Sequence, residues 1–258
     1  MKQVLLYTFT ALLIVSSYAC NDDEGDNAPI SPISVVEMPF VATYDGAPLV
    51  MTDAYDYANN LPVLFTRLKF YISNVSLLST DGSRLELSEI EALDFTTTNI
   101  DTETATQGIN LTFLDIPVGE YTGLSFGVGV AADLNETKPS DYSSSHPLSD
   151  ASDYWGAWGS YIFTKIEGKL DVDQDGSYTL GVSYHIGSDD LYRDISFTKP
   201  ITITEGNTTL PQVEVDLKKI LVRSETDFLD METNDAVHND RDLMNYLMDN
   251  FDAAVSLN

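Results

Sequence analysis

With 258 residues, 41 acidic against 13 basic side chains and a formal net charge of −28, the chain argues against nucleic acid as a partner, because holding a polyanion requires clustered Lys and Arg to displace its counterions. One cysteine excludes an intramolecular disulfide and a cysteine-rich structural zinc site. The acidity is accounted for by solubility and the avoidance of association; cation binding is a sharper reading that charge alone does not establish.

The chain opens with Lys2, an apolar run over 4–15 of about a dozen residues, and Ser16-Ser17-Tyr18-Ala19 ahead of Cys20. This is the layout of a cleaved secretory signal peptide, and the run is shorter than the roughly 20 residues of a membrane-spanning helix. Ser17-Tyr18-Ala19-Cys20 resembles a lipobox, with Ser17 in the place usually held by leucine. Cys20 is then the lipidated first residue, which explains an unpaired thiol in an exported protein. The acidic stretch 21–27, followed by Pro29 and Pro32, reads as a solvated tether. An acidic run at this place resembles the surface-export signal of Bacteroidetes lipoproteins. The expected organisation is a signal peptide (1–19), a lipidated cysteine and tether (20–38) and one domain (39–258). The expected location is the outer membrane, held by the lipid anchor and either surface-exposed or facing the periplasm.

From about 39 to 221 short runs rich in Val, Ile, Thr, Phe and Tyr alternate with turn residues, which predicts an antiparallel β domain. The expected strands are 39–44, 64–78, 109–114, 119–130, 160–170, 177–186, 195–203 and 212–217. Asp45-Gly46, Asp81-Gly82, Asp175-Gly176 and Glu205-Gly206-Asn207 punctuate them as Gly-containing turns. The fold class is therefore all-β, a single sandwich or barrel-like domain. A long polar, aromatic-rich loop over 131–158 interrupts the rhythm. Leu243, Leu247 and Phe251, spaced by four after Asn239-Asp240, predict a short capped C-terminal helix.

Asp171-Val172-Asp173-Gln174-Asp175-Gly176 has the alternating carboxylates that begin an EF-hand loop. Position twelve is Val182 where a bidentate Glu is required, and the flanks read as strands, so a hairpin turn is expected. The chain has no Gly-x-Ser-x-Gly elbow, phosphate-binding glycine loop or His-Glu-x-x-His. Carboxylates are too abundant for a glycosidase pair to be picked out, and no enzymatic activity is expected. The three histidines, His146, His185 and His238, are the residues from which a metal site would be built, with copper, zinc or iron as candidates.

Several stretches in order resemble the MbnP-like family of exported copper-binding proteins. They are Leu68-Lys69-Phe70-Tyr71-Ile72-Ser73-Asn74-Val75, Asp81-Gly82, Phe126-Gly127-Val128-Gly129-Val130 with Asn135, His146-Pro147-Leu148, Tyr154-Trp155-Gly156, Tyr161-Ile162-Phe163 with Lys165 to Gly168, and His185-Ile186-Gly187-Ser188. The resemblance implies copper held by histidine together with a tryptophan oxidised to kynurenine by a MauG-like dihaem partner protein. It implies His185 as a ligand, Trp155 as the tryptophan, and His238, near the C-terminal helix, as a further ligand. Ala157 stands where many relatives carry a second tryptophan. Packing is the alternative role for Trp155 and Trp158, backbone bonding for His185, and a loop-fixing hydrogen bond for His146. A rival function without metal is a surface adhesion or ligand-recognition module, whose aromatic loop, Tyr142 with Tyr154, Trp155 and Trp158, together with His146, would contact a glycan or protein.

Overall fold

The computed structural model describes residues 34–258. The expected signal peptide, Cys20 and most of the tether lie outside the described residues. The main strands are β1 (Val35–Tyr44), β2 (Pro62–Ser79), β3 (Arg84–Asp94), β4 (Ile109–Leu114), β5 (Gly119–Val128), β6 (Thr164–Leu170), β7 (Leu180–Ile186), β8 (Arg193–Phe197), β9 (Ile201–Ile203), β10 (Val213–Asp216), β11 (Ala236–Val237) and β12 (Val255–Leu257).

The larger sheet runs β8-β5-β2-β6-β7-β11, with β3 also on β2 and β9 on β5. In the smaller sheet β1 pairs with β4 on one side and β10 on the other, and β10 continues to β12. Alternation selects the faces. In β7 the side chains of Val182, Tyr184 and Ile186 are buried while Ser183 and His185 stay partly exposed, as period-two geometry requires. One core fills the space between the sheets, with Phe40 meeting Phe126 at 5.6 Å and Phe70 meeting Phe251 at 5.6 Å. A second, smaller cluster of Tyr71, Ile90, Val130, Leu134, Leu148, Tyr161 and Phe163 lies beneath the aromatic loop.

The structure departs from the expected antiparallel pattern where β1 pairs in parallel with the short strand Thr208–Thr209, and in two further pairings. β1 pairs with β10 in parallel, Phe40 opposite Val213, and β7 pairs with β11 in parallel. β3 was not expected, because Glu86, Glu89, Glu91 and Asp94 obscure its alternation; charge of this kind is what protects a sheet edge from further pairing. β1 begins at Val35, ahead of the expected residue 39. The expected strand 195–203 divides at Pro200 into β8 and β9, since proline has no N–H for the ladder. The expected strand 212–217 stops at Asp216, whose carboxylate caps the helix Leu217–Leu221 through Lys218 N. In β2, Asn74 takes φ 56° at a bulge that shifts the register against both β3 and β5.

The Asp171 segment is a hairpin connection between β6 and β7: its carboxylate accepts the backbone N–H groups of Asp175 (3.1 Å) and Gly176 (2.8 Å). The C-terminal helix spans Arg241–Asp249, with the Asp240 carboxylate on the N–H groups of Asp242 and Leu243. Tyr184 is fully buried and its hydroxyl has no partner among the described residues. A desolvated, unpaired hydroxyl costs about 1–3 kcal/mol. Tyr184→Phe is therefore expected to leave stability unchanged or raise it by about 1 kcal/mol, read as the denaturation midpoint in urea; a marked loss would show that the hydroxyl is in use.

Candidate functional site

Sheet register brings the polar residues together. Between β6 and β7, Lys165 lies opposite His185 and Glu167 opposite Ser183. β11 adds on in parallel, Ser183 opposite Ala236 and Tyr184 opposite Val237, so that His238 follows immediately beside His185. The core-facing residues of β7 are apolar, which leaves Ser183 and His185 on the opposite face with Glu167.

On this face the Ser183 hydroxyl lies 3.4 Å from His185 Nε2 and 3.3 Å from His238 Nε2. The two imidazole rings are 5.1 Å apart, tilted by 37°. A Glu167 carboxylate oxygen is 2.8 Å from His185 Nε2, and Arg67 Nε stands 3.8 Å from the same oxygen. Burial pushes the His185 pKa down, outweighing the Glu167 carboxylate that would raise it. The neutral ring that results is the form that ligates a metal.

Trp155 forms the roof. Its ring centroid is 5.2 Å from His238 and 6.3 Å from His185, and it stacks on Trp158 at 4.5 Å and 15°. The Trp158 indole N–H donates to Asn239 at 3.3 Å. An open cleft of about 460 Å³ is lined by Trp155, His185, His238, Tyr154, Ser152 and Ile162. A second, of about 200 Å³, lies on the other side of His238 against Trp158, Arg241 and Met244.

The roof is pinned from below. Asp153, 1% exposed, binds Lys165 Nζ at 2.6 Å, Lys69 Nζ, and the Tyr71 hydroxyl, which donates at 2.7 Å. Burial alone would raise the Asp153 pKa; the hydrogen bonds from Lys165, Lys69 and Tyr71 prevail and hold it below the usual carboxylate value. Lys165 also donates to the Ser152 carbonyl at 2.8 Å. The short strands Tyr154–Trp155 and Ser160–Tyr161 pair with each other, and Asn135 Oδ1 accepts from Tyr161 N (2.8 Å) and Ser160 Oγ (3.1 Å). Gly187 lets β7 pass directly under this ribbon, since a Cβ there would overlap the Tyr161 carbonyl oxygen.

Of the residues singled out in the sequence, the fold unites Trp155, His185 and His238, with Trp158 stacked outside and Tyr154 in the cleft wall. His146 is elsewhere. It stacks on Tyr142 at 3.9 Å and accepts the Leu148 N–H at 3.1 Å, capping the turn Pro147–Ser149. Glu167, Ser183 and Asp153 were missed. Glu167 and Lys165 on alternate positions of one strand carry the only local signal for the first, and Asp153 was indistinguishable from its many acidic neighbours.

The residues present fit a metal through their donor chemistry: two imidazole nitrogens turned toward one hydroxyl, with a carboxylate in contact and no thiolate. Among the described residues no group of three or more His, Cys, Asp or Glu side chains is placed so that it could hold a metal ion.

The family model named MbnP matches residues 34–244. The fold is similar to that of a solved structure, MbnP from Methylosinus trichosporium, at 17% identity and a TM-score of 0.53, covering 73% of this chain and 77% of that one. No curated protein matches the chain. The match extends from the first described strand to within the C-terminal helix and takes in every residue of the imidazole face, so the chain belongs to the MbnP family.

Proposed function

We propose that this protein is an exported, lipid-anchored copper-binding protein of the cell envelope, holding the metal through His185 and His238 beneath Trp155, for acquisition or storage and without turnover. The observation that carries the reading is the convergence of the two Nε2 atoms on the Ser183 hydroxyl under the Trp155 ring. Imidazole sites favour copper over the other divalent first-row metals, and membership of the MbnP family supports the same choice. The lipid anchor and envelope location rest on the segment around Cys20.

The side chains divide the work simply. His185 and His238 would supply nitrogen donors; Ser183 holds their mutual orientation; the Lys69–Asp153–Lys165 network fixes the ribbon that carries Trp155. Trp155 is the residue a MauG-like dihaem partner would oxidise, and its mass in protein isolated from the native host tests that point. The rival reading of a metal-free adhesion module asks for aromatics presented outward. Here Trp155 packs on His238 and on Trp158, which favours the metal.

Copper titration against a competing chelator, with wild type beside His185→Ala, tests the proposal. Stoichiometric binding that weakens in the variant by about 100-fold or more, beyond the 10–100-fold cost of losing a mere supporting partner, is expected. Equal, weak binding by both proteins would refute it.

A further inference from the structure

We propose that the end of the domain where β1 begins is a membrane-contacting surface, with Leu114, Val118 and Leu210 resting in the interfacial layer of the bilayer that holds the protein's own lipid anchor. This rests on the lipid-anchor reading above and goes beyond it by giving the domain a fixed face toward the membrane.

The first argument is the clustering of apolar surface. Large apolar side chains exposed singly are ordinary, whereas a group of them marks an interaction site. Leu114, Val118 and Leu210 are 60%, 58% and 61% exposed, and the strand pairings gather them around Val35. Val35 has Leu114 as its cross-strand partner on one side and Thr208 on the other, with Leu210 just beyond the short strand Thr208–Thr209. Val118 precedes Gly119, the partner of Ile203, and the turn after Ile203 leads back to Val35, whose N–H donates to the Asn207 carbonyl at 3.2 Å. Ile116, half-buried, donates its N–H to the Ser34 carbonyl at 3.3 Å. Leu210 also walls a shallow cleft of about 180 Å³ together with Ile201, Pro211 and Leu257.

The second argument, which selects the occupant, is where the chain enters. Ser34 is the first described residue, and the stretch 21–33 that joins it to Cys20 spans at most about 50 Å. An acyl chain on Cys20 therefore keeps this end of the domain within reach of the bilayer, where a weak contact becomes intramolecular and is favoured by effective concentration. The charge around the patch sets the kind of contact. Glu37 lies two residues along β1, Asp115 follows Leu114 and Glu205 sits in the turn before Asn207, while Lys199 stands beside Leu210. A surface with this excess of acid is not drawn to anionic headgroups, so the attachment comes from burying apolar side chains at the boundary of headgroups and acyl chains. Ile100, 66% exposed, supplies the contrast. Its neighbour Asn99 donates to the Leu49 carbonyl, and Leu49 N donates to Ala42 O, which places Ile100 at the other end of β1.

The test uses the lipidated protein, purified from membranes and reconstituted into phosphatidylcholine vesicles that carry nitroxide labels at headgroup level. Cys20 is the only cysteine and its thiol is taken by the lipid, so Leu114→Cys, Val118→Cys and Ile100→Cys each accept one environment-sensitive fluorophore at an exposed position. The expected result is that the labels at 114 and 118 shift to the blue and lose most of their emission to the nitroxides, while the label at 100 keeps its emission. Adding Val118→Glu to the Leu114-labelled protein should restore the emission, because a charge in the patch opposes its burial, and added salt should change little, since screening acts on charge attraction. Quenching at 114 and 118 no greater than at 100 would overturn the proposal, as would quenching that survives Val118→Glu, which would show that the tether alone brings the label near the lipid. A blue shift without quenching by lipid, accompanied by energy transfer between labelled copies, would give the patch to a second copy of the chain and overturn it as well. Protein whose Cys20 carries no acyl chain by mass would instead refute the lipid-anchor reading and take the proposal with it.

Discussion

Replacing Asp153 with alanine is expected to destabilise the protein by about 3–5 kcal/mol, the cost of breaking a buried ion pair from one side. At the size of this domain that is a fall of roughly 10 °C in the melting temperature. The magnitude follows from what is left behind. Lys165 and Lys69 are 4% and 9% exposed and both turn their ammonium groups to this one carboxylate. Without it, two charges remain in a space closed by Tyr71, Tyr161 and Phe163, with Asp150, 3.7 Å from Lys69, as partial compensation. The Tyr71 hydroxyl loses an acceptor as well. Thermal and urea denaturation check the figure. Loss of less than about 1 kcal/mol, the range of an exposed pair, would mean that the lysines reach water and that the network is superficial.

Gly187→Ala should act on both fold and site. Its new methyl group meets backbone, the Tyr161 carbonyl, and backbone cannot swing aside as a side chain can. Over-packing of this kind costs about 1–3 kcal/mol. The strain is relieved by lifting the Tyr154–Trp155 ribbon from β7, which separates Trp155 from His185 and His238. Copper affinity should therefore fall along with the melting temperature. Gly181→Ala, in β7 just ahead of Gly187 in the chain but with nothing within 4 Å of its Cβ position, is the matched control and should change neither by much. Equal behaviour of the two variants would show that the ribbon is not seated on Gly187.

These two residues also show how far the sequence was legible. Strands with clean alternation, such as 109–114, and the capped C-terminal helix could be read directly, because local periodicity and capping chemistry determine them. β3 could not, since its acidic residues conceal the pattern that marks a strand. The parallel pairing of β1 with β10 could not either, because nothing local announces a partner more than 170 residues away. The same distinction holds at the site. Trp155, His185 and His238 were singled out from residue chemistry and family resemblance, yet their meeting depends on β11 joining β7 in a particular register. Asp153 depends on burial, which is a property of the folded surroundings; Asp153 and its sequence neighbour Asp150 look alike and differ in how deeply each is enclosed.

The placement of β1 also governs the order in which the domain can be completed. Its residues Phe40 to Thr43 find their parallel partners only in Val213 to Asp216, and Val213 to Val215 in turn are bordered by β12 at residues 255–257. Closing so long a loop adds little to the equilibrium cost, which grows only as the logarithm of length, but non-local pairing slows folding. A chain cut short before residue 213 would leave the stretch Phe40–Thr43 of β1 without its parallel partner, with apolar Phe40 and Ala42 along an open row of N–H and C=O groups. Such an edge invites intermolecular pairing. The smaller sheet therefore ties early and late strands of the domain together: β1 is covered along Phe40–Thr43 only once β10 is in place, and fragments that lack β10 are expected to aggregate rather than to persist partly folded.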